Sequence, residues 1–317
     1  MRAEFRIWHE GEDISYAMHK TGTNELYCIE QFTPANQHIQ DAMPRLLAAL
    51  KPNTDLRYRL FSVEFLTTKT GETLITLIYH RPLDNAWEIA ARNLEKVLNA
   101  QIIGRSRKQK VMLSSDYVTE TFDVDQQAYQ YRQYESAFSQ PNAEINQKML
   151  EWANSQAEGL GDDYLELYCG NGNFTLPLSR HFGKVLTTEV SKTSIAALKW
   201  GIDANQLSNI DHARLSAEEI SQALEGLRPF RRLSHIDLDN YDFSTVFVDP
   251  PRAGIDAATL KFLAGFKNII YISCNPETLI QNIRELSNTH EVVAAAVFDQ
   301  FPFTPHLESG VRLRRPG

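Results

Sequence analysis

With 317 residues and 43% hydrophobic content, the chain has the make-up of soluble globular material and is long enough for two cores. No run approaches the roughly 18 apolar residues of a membrane helix, and residues 1–8 read as a strand instead of a signal core, so a cytoplasmic protein without a membrane partner is expected. The net charge of −8 argues at face value against a nucleic-acid partner, yet residues 1–110 carry 15 Lys and Arg against 13 Asp and Glu, and the remainder 17 against 27.

Charge therefore permits RNA binding without arguing for it. The basic runs 104–110 and 312–315 are of a kind that more often forms a solvated face than a binding site. Cys28, Cys169 and Cys274 lie far apart and none belongs to a C-x-x-C pair. A disulfide framework, a metal site and an iron–sulfur cluster are all unsupported.

The first part reads as strand-rich, with β-prone runs at 4–8, 14–18, 25–31, 56–68 and 72–80. Thr70-Gly71-Glu72 supplies a turn between the last two and predicts a hairpin. Residues 35–50 have a helical pattern despite Pro44, and 84–100 repeat it with Asp84 as N-cap. Strands are predicted around 102–107, 111–114 and 118–124. From about Pro141 the grammar changes: a helix over 143–156 leads into an apolar strand at 164–168. Strand–helix alternation follows, with strands at 185–189, 210–214, 244–249, 268–273 and 292–298. This spacing predicts a doubly wound, mostly parallel sheet, with 310–315 returning as an antiparallel edge strand.

In such a sheet, ligands bind at the carboxyl ends of strands. Glu166-Leu167-Tyr168-Cys169-Gly170-Asn171-Gly172-Asn173-Phe174 joins the first of these strands to a helix, and its glycines allow close approach of a ligand. The spacing is not the G-x-G-x-x-G of dinucleotide folds, so hydride transfer loses support. Glu189 ends the next strand, where an acid could hold a ribose diol. Asp249 ends the fourth, before Pro250 and Pro251, whose stiffness suits a floor beneath a flat base. Each could be a plain strand end or turn cap, but the acid-strand-G-x-G loop resembles the cofactor loop of class I S-adenosylmethionine (SAM) methyltransferases, and with that resemblance the three features in order favour SAM over other nucleotides. Cys274 lies in the turn after the fifth strand, just before a helix opening near Pro276. Alone it reads as a small buried cysteine, although a helix start would favour its thiolate.

Five segments then converge: Phe138-Ser139-Gln140-Pro141-Asn142, the loop around Gly170, Asp249-Pro250-Pro251-Arg252, Ser273-Cys274-Asn275-Pro276, and the closing motif from Phe298 to Glu308. Together they resemble the RNA uracil-5-methyltransferases. Residues 2–8, Leu66-Thr67-Thr68 and Tyr79-His80 are similar to the bacterial tRNA branch of that family. The resemblance runs over nearly the whole chain. It implies a class I SAM-methyltransferase domain over 136–317 and an α+β RNA-recognition domain over 1–135. It implies an enzyme that makes ribothymidine at position 54 of the tRNA T-loop, with the T-like loop of transfer-messenger RNA (tmRNA) as a further partner; a monomer is expected. Family members begin some tens of residues earlier, which places Met1 inside a matching segment. Ribosomal-RNA relatives carry a cysteine cluster and often an OB-like domain; neither is seen here.

The chemistry implied needs a nucleophile and a base. C5 of uracil is a poor nucleophile until a thiolate adds at C6, and the C5 proton must leave before the thiol is eliminated. The resemblance gives Cys274 the first role and Glu308 the second, with His306 as a rival base. It assigns Gln140, Tyr168, Asn173, Glu189 and Asp249 to the SAM site. It offers Phe61 and His80 for stacking on T-loop bases and Arg6 for the RNA backbone, although Phe61 by composition alone would be core. The alternatives are a ribosomal-RNA uracil-5-methyltransferase and a non-catalytic RNA chaperone on the same scaffold.

Overall fold

Phe5 and Ile7 point inward from β1 (Arg2–Glu10) while Glu4 and Arg6 do not, and this two-residue period sets up the first sheet. The computed structural model describes residues 1–20 and 22–317. After β1 come β2 (Asp13–His19), β3 (Leu26–Ile29), α1 (Gln37–Leu50), α2 (Thr54–Arg57), β4 (Leu60–Thr67) and β5 (Thr73–Tyr79). Then follow α3 (Asn85–Leu98), β6 (Gln101–Ser106) and β7 (Gln109–Met112). The sheet order is β3-β2-β1-β4-β5-β6-β7, antiparallel except for the β5–β6 pair that α3 connects. Ile39 and Leu46 of α1 and Trp87 and Leu94 of α3 share one core with Phe5 and Phe65.

Local chemistry explains these boundaries. The Asp84 carboxylate accepts from the Trp87 N–H at 3.0 Å, the cap expected from the sequence, and Asn36 caps α1 in the same way. The strand predicted from 56 begins only at Leu60. Asn53 accepts from the Leu56 N–H at 3.2 Å and turns 54–57 into the short helix α2.

A two-stranded sheet of β8 (Tyr117–Val124) and β9 (Gln127–Tyr134) follows. β9 is missing from the sequence reading, although it buries Tyr129, Tyr131 and Gln133 at alternate positions. Two compact units divide the chain within this hairpin: Met1–Glu120 with Gln133–Ser136, and Thr121–Arg132 with Ala137–Gly317.

The second unit contains α4 (Ala143–Ala157), β10 (Asp163–Leu167), α5 (Thr175–Leu178), β11 (Val185–Thr188), α6 (Lys192–Ala204), β12 (Ile210–Ala213) and α7 (Ala217–Leu224). It continues with β13 (Phe243–Val248), α8 (Ala257–Leu263), β14 (Asn268–Ser273), α9 (Pro276–Leu286), β15 (Glu291–Phe298) and β16 (Glu308–Arg314). The order β12-β11-β10-β13-β14-β16-β15 is parallel from β12 to β14, and the winding reverses between β10 and β13. That switch point opens a crevice at the carboxyl ends of the strands.

The tail corrects one expectation. It returns antiparallel, but between β14 and β15 instead of at the edge. β16 is almost wholly buried, while β15 is largely exposed and forms the edge. Trp152 of α4 lies so close to β16 that a Cβ at Gly310 would stand 2.6 Å from its ring. Among the described residues, no helix is long and apolar enough to cross a membrane.

Candidate active site

The loop after β10 folds through the left-handed region at Tyr168 (φ 61°), Gly170 (55°) and Gly172 (85°). Gly172 has a steric reason as well: a Cβ there would stand 2.6 Å from Leu198 of α6. At Gly170 a Cβ would meet nothing within 4 Å, so this side of the loop is open to a ligand. The Gly170 N–H donates to Oε2 of Glu189 at 3.1 Å, and the Val190 and Ser191 N–H groups each donate to Oε1 at 2.7 Å. The carboxylate is thereby oriented at the end of β11, next to the glycine loop. This combination fits a nucleoside whose ribose diol needs an acceptor.

Asn173 and Asn146 of α4 exchange a pair of amide hydrogen bonds, both 2.8 Å, which tie the loop down. Gln140 is buried, and its Oε1 accepts from Nε2 of Gln300 at 2.9 Å, leaving its own amide N–H groups as the donor end. Tyr168 packs against the core beside β10. Beneath the loop, Glu166 is fully buried, accepts from the Tyr164 hydroxyl at 3.0 Å, and is pushed up to about 8 chiefly by burial.

Cys274 follows the last residue of β14, and Glu308 is the first residue of β16. Ser273 pairs with Ser309, so one further step in the same antiparallel register sets Cys274 opposite Glu308. The Cys274 turn is held firmly. Ser273 Oγ accepts from the Asn275 N–H at 3.1 Å, Asn275 caps α9 through the Glu277 N–H, and its Nδ2 donates to the Arg252 carbonyl at 3.3 Å. Asp249 directly follows β13, on the other side of β14.

Three acids share this space. Burial raises Glu308, 3% exposed and without a hydrogen-bond partner among the described residues, to about 7. Asp249 is pushed well above the carboxylate range by burial, then by Glu308 and Glu166. The Cys274 thiol is also raised, by burial first and then by Glu308 and Asp249. This reverses the lowering expected from the helix start: burial, with two carboxyl groups added to it, outweighs the helix terminus. Ionisation of one group therefore opposes ionisation of the others, and the site titrates as a set.

His306 is engaged elsewhere, its Nδ1 accepting from Nη2 of Arg252 at 3.1 Å. Arg252 and Gln300 lie within motifs quoted from the sequence but were given no role there; their signal was membership of those motifs. In the first unit, Arg6, Phe61 and His80 come together. The Arg6 guanidinium lies 3.5 Å from the Phe61 ring centre, and the Phe61 and His80 rings are 4.0 Å apart at 31°. Phe61 is only half-buried, not core, because a bulge between Leu60 and Ser62 sets it aside.

The family described as tRNA (Uracil-5-)-methyltransferase matches residues 1–316. The tRNA/tmRNA (uracil-C(5))-methyltransferase of Acinetobacter baylyi is 56% identical over 319 residues, covering 99% of this chain and 88% of that protein. Its counterpart in Neisseria meningitidis serogroup B is 55% identical over 322 residues, with 99% and 89% covered. Among solved structures, the tRNA (uracil-54, C5)-methyltransferase of Pyrococcus abyssi, in complex with S-adenosyl-L-homocysteine, superposes with a TM-score of 0.72. That match covers 98% of this chain and 75% of that one at 18% identity, and it shows a shared fold.

Proposed function

The chain belongs to the tRNA (uracil-5-)-methyltransferase family, and from that membership we infer that it methylates C5 of uridine 54 in the T-loop of tRNA, using SAM. The tmRNA T-like loop is a second substrate on the same reading, in line with the names of the relatives. The observation that carries the chemistry is the register that sets Cys274 opposite Glu308, at the same carboxyl end of the parallel strands as the glycine loop and Glu189.

In this reading, SAM supplies the electrophilic methyl group. Glu189 accepts from the ribose hydroxyls, Gln140 donates from its amide, Asn173 and Tyr168 shape the loop, and Asp249 borders the methyl-transfer space. Cys274 adds as thiolate to C6 of the uracil, which makes C5 nucleophilic. After C5 has taken the methyl group, Glu308 removes the C5 proton, and the electron pair of that C–H bond expels the thiolate from C6. A carboxyl group near 7 suits this task, being able to take a proton and give it up at neutral pH. His306 orders the loop through Arg252.

Reaching C6 of a base inside a folded T-loop demands that it be flipped out. The first 135 residues are read as the RNA-recognition domain, with Phe61 and His80 stacking on bases and Arg6 near the backbone. A monomeric cytoplasmic enzyme is part of the proposal.

Incubation of unmodified tRNA with the protein and methyl-labelled SAM, followed by nucleoside mass spectrometry, is the test. Label in 5-methyluridine from a T-arm minihelix, and none from ribosomal fragments, is the expected result. Label only in ribosomal fragments, or no label at all, would overturn the reading.

A further inference from the structure

Phe303 is 95% exposed, more than any other large hydrophobic residue described, and its φ of 66° puts a bulky side chain in the left-handed region. Looseness does not account for this, because the loop carrying it is fastened on both sides. Before it, Gln300 donates to Gln140 and accepts from the Asn142 N–H at 3.2 Å. After it, Thr304 Oγ1 donates to the Phe301 carbonyl at 2.8 Å and accepts from the His306 N–H at 3.2 Å. His306 in turn packs edge-on to Phe301 and is bonded to Arg252. A strained conformation persists only where its surroundings impose it, and such positions cluster at functional sites.

The ring gains nothing from the chain itself. It stands in water five residues before Glu308, on the loop that leads into that residue. What arrives at this site, on the reading above, is an RNA loop with one nucleotide flipped out. Flipping leaves the neighbouring bases with open faces that have lost their stacking partner. An aromatic ring carried in the open on a loop already held in place can cover such a face without that loop first losing its freedom.

We propose that Phe303 is a base-stacking residue, its ring covering the face of the nucleobase adjacent to the uridine that Cys274 attacks. The inference rests on the uridine-methylating function, and its test separates the two. If the unmutated protein methylates no RNA, that function falls first. Given an active protein, Phe303→Gly removes the ring while accepting the φ of 66°, and Phe303→Trp keeps an aromatic face. T-arm RNA carrying 2-aminopurine beside the target uridine reports stacking as fluorescence quenching.

The expected result is quenching by the unmutated protein and by Phe303→Trp, with none by Phe303→Gly. RNA binding by Phe303→Gly should be weakened roughly tenfold, the usual worth of one base–aromatic stack. The dissociation constant for S-adenosylhomocysteine should be equal in all three. Unchanged RNA affinity and quenching in Phe303→Gly would overturn the proposal. So would equal losses in both variants, which would assign the effect to the loop and not to the ring.

Discussion

On the proposed mechanism Cys274 and Glu308 divide the reaction, so that each role can be removed separately. Cys274→Ala should abolish methylation and any covalent RNA adduct, because a methyl group cannot add to C6. Glu308→Gln should still permit addition and methyl transfer, and should accumulate a methylated RNA–protein adduct that migrates slowly on a denaturing gel. A 5-fluorouridine substrate, which has no C5 proton to lose, should trap the unmutated protein alike. Normal turnover by Glu308→Gln would reassign the base. Stability adds a second readout. Burial holds the folded Glu308 carboxyl at about 7, above its ordinary value of 4.5, so the folded protein disfavours the ionised form. The contribution of this group is fully present below about pH 4.5 and is lost as pH rises through 7. Glu308→Gln should therefore be more stable than the parent at pH 8, by up to about 3 kcal/mol, with the difference vanishing near pH 4.5. Denaturant unfolding at the two pH values measures it.

At the level of elements, the glycine loop and the end of β11 act as one piece, because Glu189 accepts from the Gly170 N–H as well as from its own turn. Glu189→Ala should weaken SAM binding by roughly tenfold or more, the worth of a charge-assisted pair of hydrogen bonds. Calorimetry showing an unchanged dissociation constant would remove Glu189 from the site. The sequence made this half legible because four of the candidate residues, Tyr168, Glu189, Asp249 and Cys274, directly follow apolar parallel strands, and buried parallel strands are easy to read. Glu308 was harder to place. The tail was read as an edge strand starting at 310, which left Glu308 in a loop, and only pairing with both β14 and β15 makes it a buried strand residue. No local pattern in a sequence states which two strands a third will lie between. The direction of the Cys274 shift was hidden for a related reason: burial, its largest cause, comes with the folded sheet, and Asp249 and Glu308, 25 and 34 residues away along the chain, are gathered only there.

For the molecule as a whole, charge is unevenly shared, and the acidic total conceals a first part with a slight positive balance. If that part presents its cations to phosphate, binding of a T-arm RNA should weaken steeply with added salt, since counterions released on binding must be taken back. Affinity insensitive to ionic strength would point to stacking alone, with the Arg6–Phe61–His80 tier as its most evident source. Arg6 was expected at the RNA backbone; its guanidinium already covers one face of Phe61, so that face is in use before RNA arrives.

The place of β16 also governs the order of events during synthesis. β15 leaves the ribosome before the one described strand with which it pairs. Until β16 follows, β14 keeps an open edge and β15 has no seat in the sheet. The step that closes the sheet is the same step that brings Glu308 beside Cys274. A nascent chain thus has the Cys274 thiol before it has the carboxyl group set opposite it, because β16 follows β14 in the chain.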